Sequence, residues 1–273
     1  MIAPISFGGR AVGHSRTAPP VVFVGDTATV DCRSTYYTYV NDAVRQAFGE
    51  GVQTVRLDNV NGQRYIGTGL AGADRRIEVH GTPGQALGMF MDGPTIEVFG
   101  NAQDGVGNTM NDGTIIVHGS AGDVLGYGMR CGRVYIEGDV GYRVGIHMKA
   151  YKDLRPVLVC GGKARDFFGE YMAGGLLVLL GMHSRLDGPV VGSHLATGMH
   201  GGEIYVRGEV EPWRCGKDVA VFAATAEEMA ALCGVLADYC AAVAVDLHEV
   251  LAVPFVRVRP ASLRPYSELY TSL

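Results

Sequence analysis

Apolar and polar positions alternate in short runs through the middle of this chain, and each run ends on a glycine. The runs are IEVHG at Gly81, IEVFG at Gly100, IIVHG at Gly119, VYIEG at Gly138, VLVCG at Gly161, LLVLLG at Gly181 and IYVRG at Gly208. The first four glycines are 19 residues apart, and the next intervals are 23, 20 and 27. More glycines follow three and seven places on, as Gly84 and Gly88, Gly122 and Gly126, and Gly141 and Gly145. Methionine follows ten places on, at Met91, Met110, Met129 and Met148. One short strand in each period of about 20 predicts a solenoid.

A unit of that size cannot bury its own apolar face, but stacked on its neighbours it completes a continuous core. Within the strands, Ile77 and Val79, Ile96 and Val98, Ile115 and Val117, and Val134 and Ile136 occupy alternate positions and face inward. The outward slots hold Glu78, His80, Glu97, His118, Tyr135 and Glu137. The expectation is a parallel β-helix with two or three short strands per coil and coils about 4.8 Å apart. Glycines at its corners would take positive φ without steric cost. Leucine-rich repeats lack their consensus here, and helical repeats would be broken by these glycines.

Residues 1–20 read as an irregular arm. VVFVG and ATVDC predict two strands around Gly25-Asp26. A helix is expected from about Tyr39 to Phe48, and a strand over 52–60 before the Asn61-Gly62 turn. Residues 1–70 thus form an arm and a β-α-β cap, which shields the open end of the solenoid that spans 71–210. After the breaker Glu211-Pro212-Trp213, a capping box of Thr225 and Glu228 starts a helix to about Val243, with Met229, Leu232, Val235, Leu236 and Tyr239 as its apolar stripe. The strand PFVRVRP and the tail LRPYSELYTSL complete a C-terminal helical cap and docking tail over 211–273.

The chain has 273 residues, a net charge of −5 and 40 glycines. That charge gives no field favouring nucleic acid. No run approaches the 18 or so apolar residues of a membrane span, and the first residues, MIAPISFGGR, lack the charged-then-apolar order of a signal peptide. The six cysteines form no CxxC pair, so reduced thiols in a cytoplasm are expected.

Candidate chemistry is sparse. Gly67 to Gly72 matches GxGxxG, but a strand follows within five residues where a dinucleotide site needs a helix. Gly162-Lys163 lacks the Ser or Thr of a phosphate loop, since Ala164 follows. His14, His80, His118, His147, His183, His194, His200 and His248 are scattered without HExxH or HxxxH spacing. His80 and His118, two coils apart, would be roughly 10 Å from each other, too far for one ion. No GxSxG elbow is present. Asp92, Asp104, Asp112, Asp123 and Asp139 could be glycosidase carboxylates on a solenoid groove, but beside corner glycines they read as turn residues that satisfy backbone groups. The methionines read as a stacked interior row. No catalytic, cofactor-binding or metal-binding residue is assigned, and a rigid rod with a quiet surface points to an interaction role.

The run from Asp58 to Gly67, DNVNGQRYIG, resembles the start of the C-terminal domain of the glutamate synthase large subunit. So do GNAQDGVGNTMNDG (100–113), GDVLGYGMRCGRVYIEGDVGYRVGIHMK (122–149), GEYMAGG (169–175) and ATGMHGG (196–202), with a weak return at Arg264-Pro265-Tyr266. This resemblance, to the GXGXG or domain 3 family, implies a right-handed parallel β-helix without catalytic residues. A similarly built relative belongs to formylmethanofuran dehydrogenase, a formyl-transfer complex, and stands as the alternative. The nucleophile cysteine and flavin barrel of the large subunit have no counterpart here. The resemblance therefore implies a stand-alone scaffold subunit. Its expected partners are a glutaminase-type amidotransferase and an FMN synthase subunit, which would carry FMN and iron–sulfur clusters. Gly81, Gly100, Gly119, Gly126, Gly138, Gly145, Gly161, Gly181 and Gly208 are the expected structural glycines. The insertion that lengthens one coil from 19 to 23 residues places His147, Met148, Lys149, Tyr151 and Lys152 in a loop. With Glu170 to Gly175, it is the candidate interface, since loops on rigid scaffolds commonly carry recognition.

Overall fold

The alternating runs become the parallel strands of one sheet. The structure, a computed structural model, describes residues 15 and 17–260. Most of the expected arm, His14, Arg264-Pro265-Tyr266 and the tail LRPYSELYTSL lie outside the described residues.

Strands β1 (Val21–Val24) and β2 (Thr27–Asp31) form an antiparallel hairpin that turns at Gly25-Asp26, with Val24 opposite Thr27. Helix α1 (Tyr37–Gly49) follows and turns Val40, Ala43, Val44, Ala47 and Phe48 into the core. Then come β3 (Thr54–Asn61), β4 (Arg76–Thr82), β5 (Asp92–Phe99), β6 (Asp112–Val117), β7 (Arg133–Ile136), β8 (Val157–Cys160), β9 (Ala173–Leu179) and β10 (Gly201–Arg207). From β2 to β10 every strand pairs in parallel with the next in sequence order. The register is the one the period demands: Val79 lies beside Val98, Val98 beside Val117, Val117 beside Ile136, and Ile136 beside Cys160. This is a parallel β-solenoid. Each coil carries one long strand, and most of its remaining pairing is isolated bridges such as Ala71 with Asp92 and Ala102 with Ala121. The expected second and third strands are cut short because left-handed residues interrupt the ladder.

The inner face of the sheet is dry. Ile77, Val79, Ile96, Val98, Ile115, Val117, Val134 and Ile136 are fully buried. Met91, Met110, Met129 and Met148 form the expected interior row, which Met172 and Met199 extend.

Left-handed residues recur at every second position of the turn opposite the strands. The triplets are Tyr65-Gly67-Gly69, Ala86-Gly88-Phe90, Gly105-Gly107-Thr109, Val124-Gly126-Gly128, Arg143-Gly145-His147, Phe167-Gly169-Tyr171 and His194-Ala196-Gly198, all with φ between 51 and 75°. Their amides bond alternately to the coils on either side. Arg143 and His147 donate to the Asp166 and Glu170 carbonyls of the next coil, while Gly145 donates back to Leu125. The outer members can carry side chains that leave the rod. The central member faces the core: a Cβ on Gly126 would lie 2.8 Å from Leu158 Cδ1. Ala196 breaks the rule only after the last parallel strand but one, where no further parallel strand follows β10 to be crowded.

The strand-end glycines divide differently from the corner expectation. Gly81, Gly100, Gly181 and Gly208 do have positive φ. Gly119, Gly138 and Gly161 do not, and what requires glycine there is the neighbouring coil. A Cβ at Gly161 would sit 2.2 Å from the Glu137 carbonyl oxygen, and one at Gly119 would sit 2.7 Å from that of Gly100.

After β10 the chain forms β11 (Val219–Ala223), α2 (Ala226–Val243), α3 (Leu247–Leu251) and β12 (Phe255–Pro260). Strand β12 pairs antiparallel with both β10 and β11. The capping box at Thr225 and Glu228 is present in both directions. Leu232, Leu236 and Tyr239 of α2 pack on Val159, Val178 and Tyr205, forming a second core on the outer face of the sheet. Tyr135 is therefore covered although its slot points outward: its ring meets that of Tyr239 edge-on at 5.8 Å, and burial pushes its phenol up to about 12.

Candidate interaction surface

The 23-residue coil puts its extra length into a protruding hairpin. Tyr151 and Leu154 exchange both backbone hydrogen bonds at 3.0 Å, with Lys152 left-handed at the tip. Lys149, Tyr151, Lys152, Asp153, Leu154 and Arg155 are all exposed, Tyr151 by 67%. The Lys152 ammonium lies 5.2 Å from the centre of the Tyr151 ring, and Arg155 pairs with Glu203. An aromatic side chain with cations around it, held on a two-residue turn, is suited to protein contact.

His147 is the outer left-handed residue of its coil and is exposed. Its ring stacks on Tyr171 at 5.3 Å and meets Tyr127 edge-on at 5.8 Å. The three rings belong to successive coils, so the backbone geometry of the turns lines them up. Met148 points the other way and is fully buried. Glu170 does not join this surface. It is 5% exposed and its carboxylate pairs with Arg143, whose guanidinium lies 4.3 Å from the centre of the Phe167 ring. Phe167 in turn stacks on His194 at 4.7 Å. As an interface residue Glu170 is corrected: a buried, paired carboxylate fixes the position of Arg143 instead of meeting a partner. Of the three stacked rings, His147 and Tyr171 belong to the expected surface and Tyr127 does not. Relative to the turn glycines Gly126, Gly145 and Gly169, Tyr127 falls one position on and His147 and Tyr171 two positions on, which brings the three rings near one another.

A ladder of aspartates serves the scaffold. Asp104 accepts the Asp123 N–H at 2.9 Å, Asp123 accepts that of Tyr142 at 2.9 Å, Asp139 that of Lys163 at 2.8 Å and Asp166 that of Ser193 at 2.8 Å. This side-chain ladder satisfies backbone donors from coil to coil, the turn role expected of Asp104, Asp123 and Asp139. Lys163 donates to the carbonyls of Leu186 and Gly188, both at 2.7 Å, so Gly162-Lys163 clamps a loop. No helix follows Gly67 to Gly72; β4 does. His80 and His118 flank the ring of Phe99, which stacks 4.7 Å from one and 5.3 Å from the other. Among the described residues, no three His, Cys, Asp or Glu side chains come together as a metal site. Burial pushes the Cys32 thiol up to about 12 and that of Cys160 higher still. No helix among the described residues is long and apolar enough to cross a membrane.

The GXGXG motif family model matches residues 49–257, the span that holds strands β3 to β11 with helices α2 and α3. The chain is also 42% identical over 253 residues to a protein of Methanocaldococcus jannaschii described as uncharacterized protein MJ1350; the match covers 90% of this chain and 97% of that one.

Proposed function

This chain belongs to the GXGXG motif family, and on that premise we propose that it is the scaffold subunit of a glutamate-synthase-like complex and performs no chemistry itself. A glutaminase-type amidotransferase and an FMN synthase chain are its partners in this reading, and they carry the flavin and the iron–sulfur clusters. The observation that carries the proposal is the family match across the solenoid, joined to the glutamate-synthase-like run DNVNGQRYIG. The aspartates Asp104, Asp123, Asp139 and Asp166 support it, because each holds one coil to the next. The hairpin Tyr151–Leu154 and the stack of Tyr127, His147 and Tyr171 supply exposed aromatic surface for a partner.

Purification at native abundance, with identification of co-purifying chains, tests this. The expected result is stoichiometric recovery of an amidotransferase and a flavin-binding chain. The isolated chain should neither release ammonia from glutamine nor retain FMN. Molybdopterin-binding and amidohydrolase chains in their place would establish the formylmethanofuran dehydrogenase alternative. Glutaminase turnover or stoichiometric flavin in the pure chain would overturn the scaffold reading.

A further inference from the structure

Arg64 stands out among the arginines around the first coils. Arg33, Arg45, Arg56 and Arg76 each have a carboxylate within ion-pair distance, in Asp31, Asp42, Asp58 and Glu78 respectively. Among the described residues, Arg64 and Arg75 have none; Arg75 is half-buried over the ring of Phe48, whereas Arg64 is exposed. It lines an open cleft of about 380 Å³ with Thr35, Tyr36, Tyr37, Asn61 and Gln63.

The cleft is built on a fixed floor. Gln63 is 4% exposed. Its Nε2 donates to the carbonyls of Cys32 and Thr35, and its Oε1 accepts the Asn61 N–H. The Arg64 carbonyl accepts from Nδ2 of Asn41, itself buried on α1. The backbone beneath the guanidinium is thereby pinned from two sides. The wall is aromatic: the rings of Tyr36 and Tyr37 are 4.5 Å apart, and Tyr65 meets Tyr37 edge-on at 5.6 Å. The Tyr37 phenol is raised chiefly by its hydrogen bond with Tyr36, and the charge of Arg64 pulls it the other way, so that charge is felt at the wall.

A rigid tyrosine wall beside one arginine is the composition of a protein-binding hot spot, and an arginine fork matches a carboxylate. Among the described residues, those lining the cleft include no second cation to clamp a free dicarboxylate, whereas a bound polypeptide adds contact area along the rings. We propose that this cleft docks an acidic segment of a partner protein, with a carboxylate on Arg64 and the segment lying against the tyrosines. The proposal rests on the scaffold reading only in taking a protein as the occupant, and its test uses the isolated chain.

The probe is a fluorescein-labelled pentaglutamate peptide, titrated by anisotropy, with pentaglutamine as the neutral counterpart. Wild type should bind pentaglutamate saturably and pentaglutamine not at all. Arg64→Ala should weaken binding about tenfold, as loss of a charged hydrogen-bonding partner does. Arg33→Ala, a neighbouring arginine already paired, should leave it unchanged. A thermal melt matching wild type shows that Arg64→Ala is folded, and Arg64→Gln replaces it otherwise. Absence of saturable binding, or equal affinity in the Arg64 variant, overturns the proposal. So does free glutarate that displaces the peptide at equal concentration, which would make the cleft a small-carboxylate site. These outcomes are independent of which chains co-purify, so failure here leaves the scaffold reading to its own experiment.

Discussion

A Cβ on Gly145 would lie 2.4 Å from Cδ1 of Leu177, which belongs to the second strand after it along the solenoid. The same glycine has φ of 74°. Both requirements, handedness and space, fall on one residue because the middle of each turn triplet points into the core.

Gly145→Ala should therefore cost about 2–6 kcal/mol, the sum of roughly 1–3 for a strained backbone and roughly 1–3 for overpacking. Gly234→Ala is the counterpart. Gly234 lies exposed within α2 and a Cβ there meets nothing within 4 Å, so it should stabilise by about 0.5–1 kcal/mol. Urea unfolding of both variants checks this. A Gly145→Ala midpoint equal to wild type would mean the turn can relax and the steric account is wrong.

The aspartate ladder predicts a coupling. Asp123→Ala leaves the Tyr142 N–H to water and should cost about 0.5–1.5 kcal/mol, since the bond is solvent-exposed. A Cβ on Gly141 would lie 1.9 Å from Oδ1 of Asp123, so Gly141→Ala should hurt less when Asp123 is already alanine. Relief will be partial, because the Gly122 carbonyl oxygen is also 2.7 Å away. Strict additivity in the double-mutant cycle would deny the contact.

The cap of α2 should weaken in acid. The Glu228 carboxylate is held below its usual range, first by the Thr225 backbone N–H and then by Arg257. A lowered carboxylate contributes stability that is fully present above its unfolded value and is lost as pH falls through the folded one. Stability should thus decline below about pH 4.5, and Glu228→Gln should flatten that part of the profile. Thr225→Ala, which removes the other half of the box, should cost about 1 kcal/mol at any pH. A Glu228→Gln profile parallel to wild type from pH 5 to 3 would remove this carboxylate from the account.

Charge reversal tests the hairpin. Lys149→Glu with Lys152→Glu should weaken assembly with the proposed partners and leave the melting temperature of the free chain unchanged, since both side chains are exposed. Unchanged assembly would take this loop out of the interface.

The amino-acid sequence determined the solenoid and its register by itself. Period-two alternation picks the buried face of each strand, and a 19-residue repeat brings equivalent residues side by side, so Val79, Val98 and Val117 could be paired on paper and are paired in the structure. Helix α2 was equally legible, because caps and apolar stripes are local. The rest required neighbours from other coils. Gly119 and Gly126 look alike in sequence, yet one is fixed by a carbonyl of the coil before it and the other by backbone handedness and Leu158. Glu170 reads as a surface charge until Arg143, 27 positions earlier, is brought against it. Tyr135 occupies an outward slot, and only the packing of α2, whose Tyr239 hydroxyl reaches the carbonyl of Ile136 across 103 positions, buries it. The fold was written in local periodicity, whereas burial and charge pairing are properties of which coils and helices come to lie together.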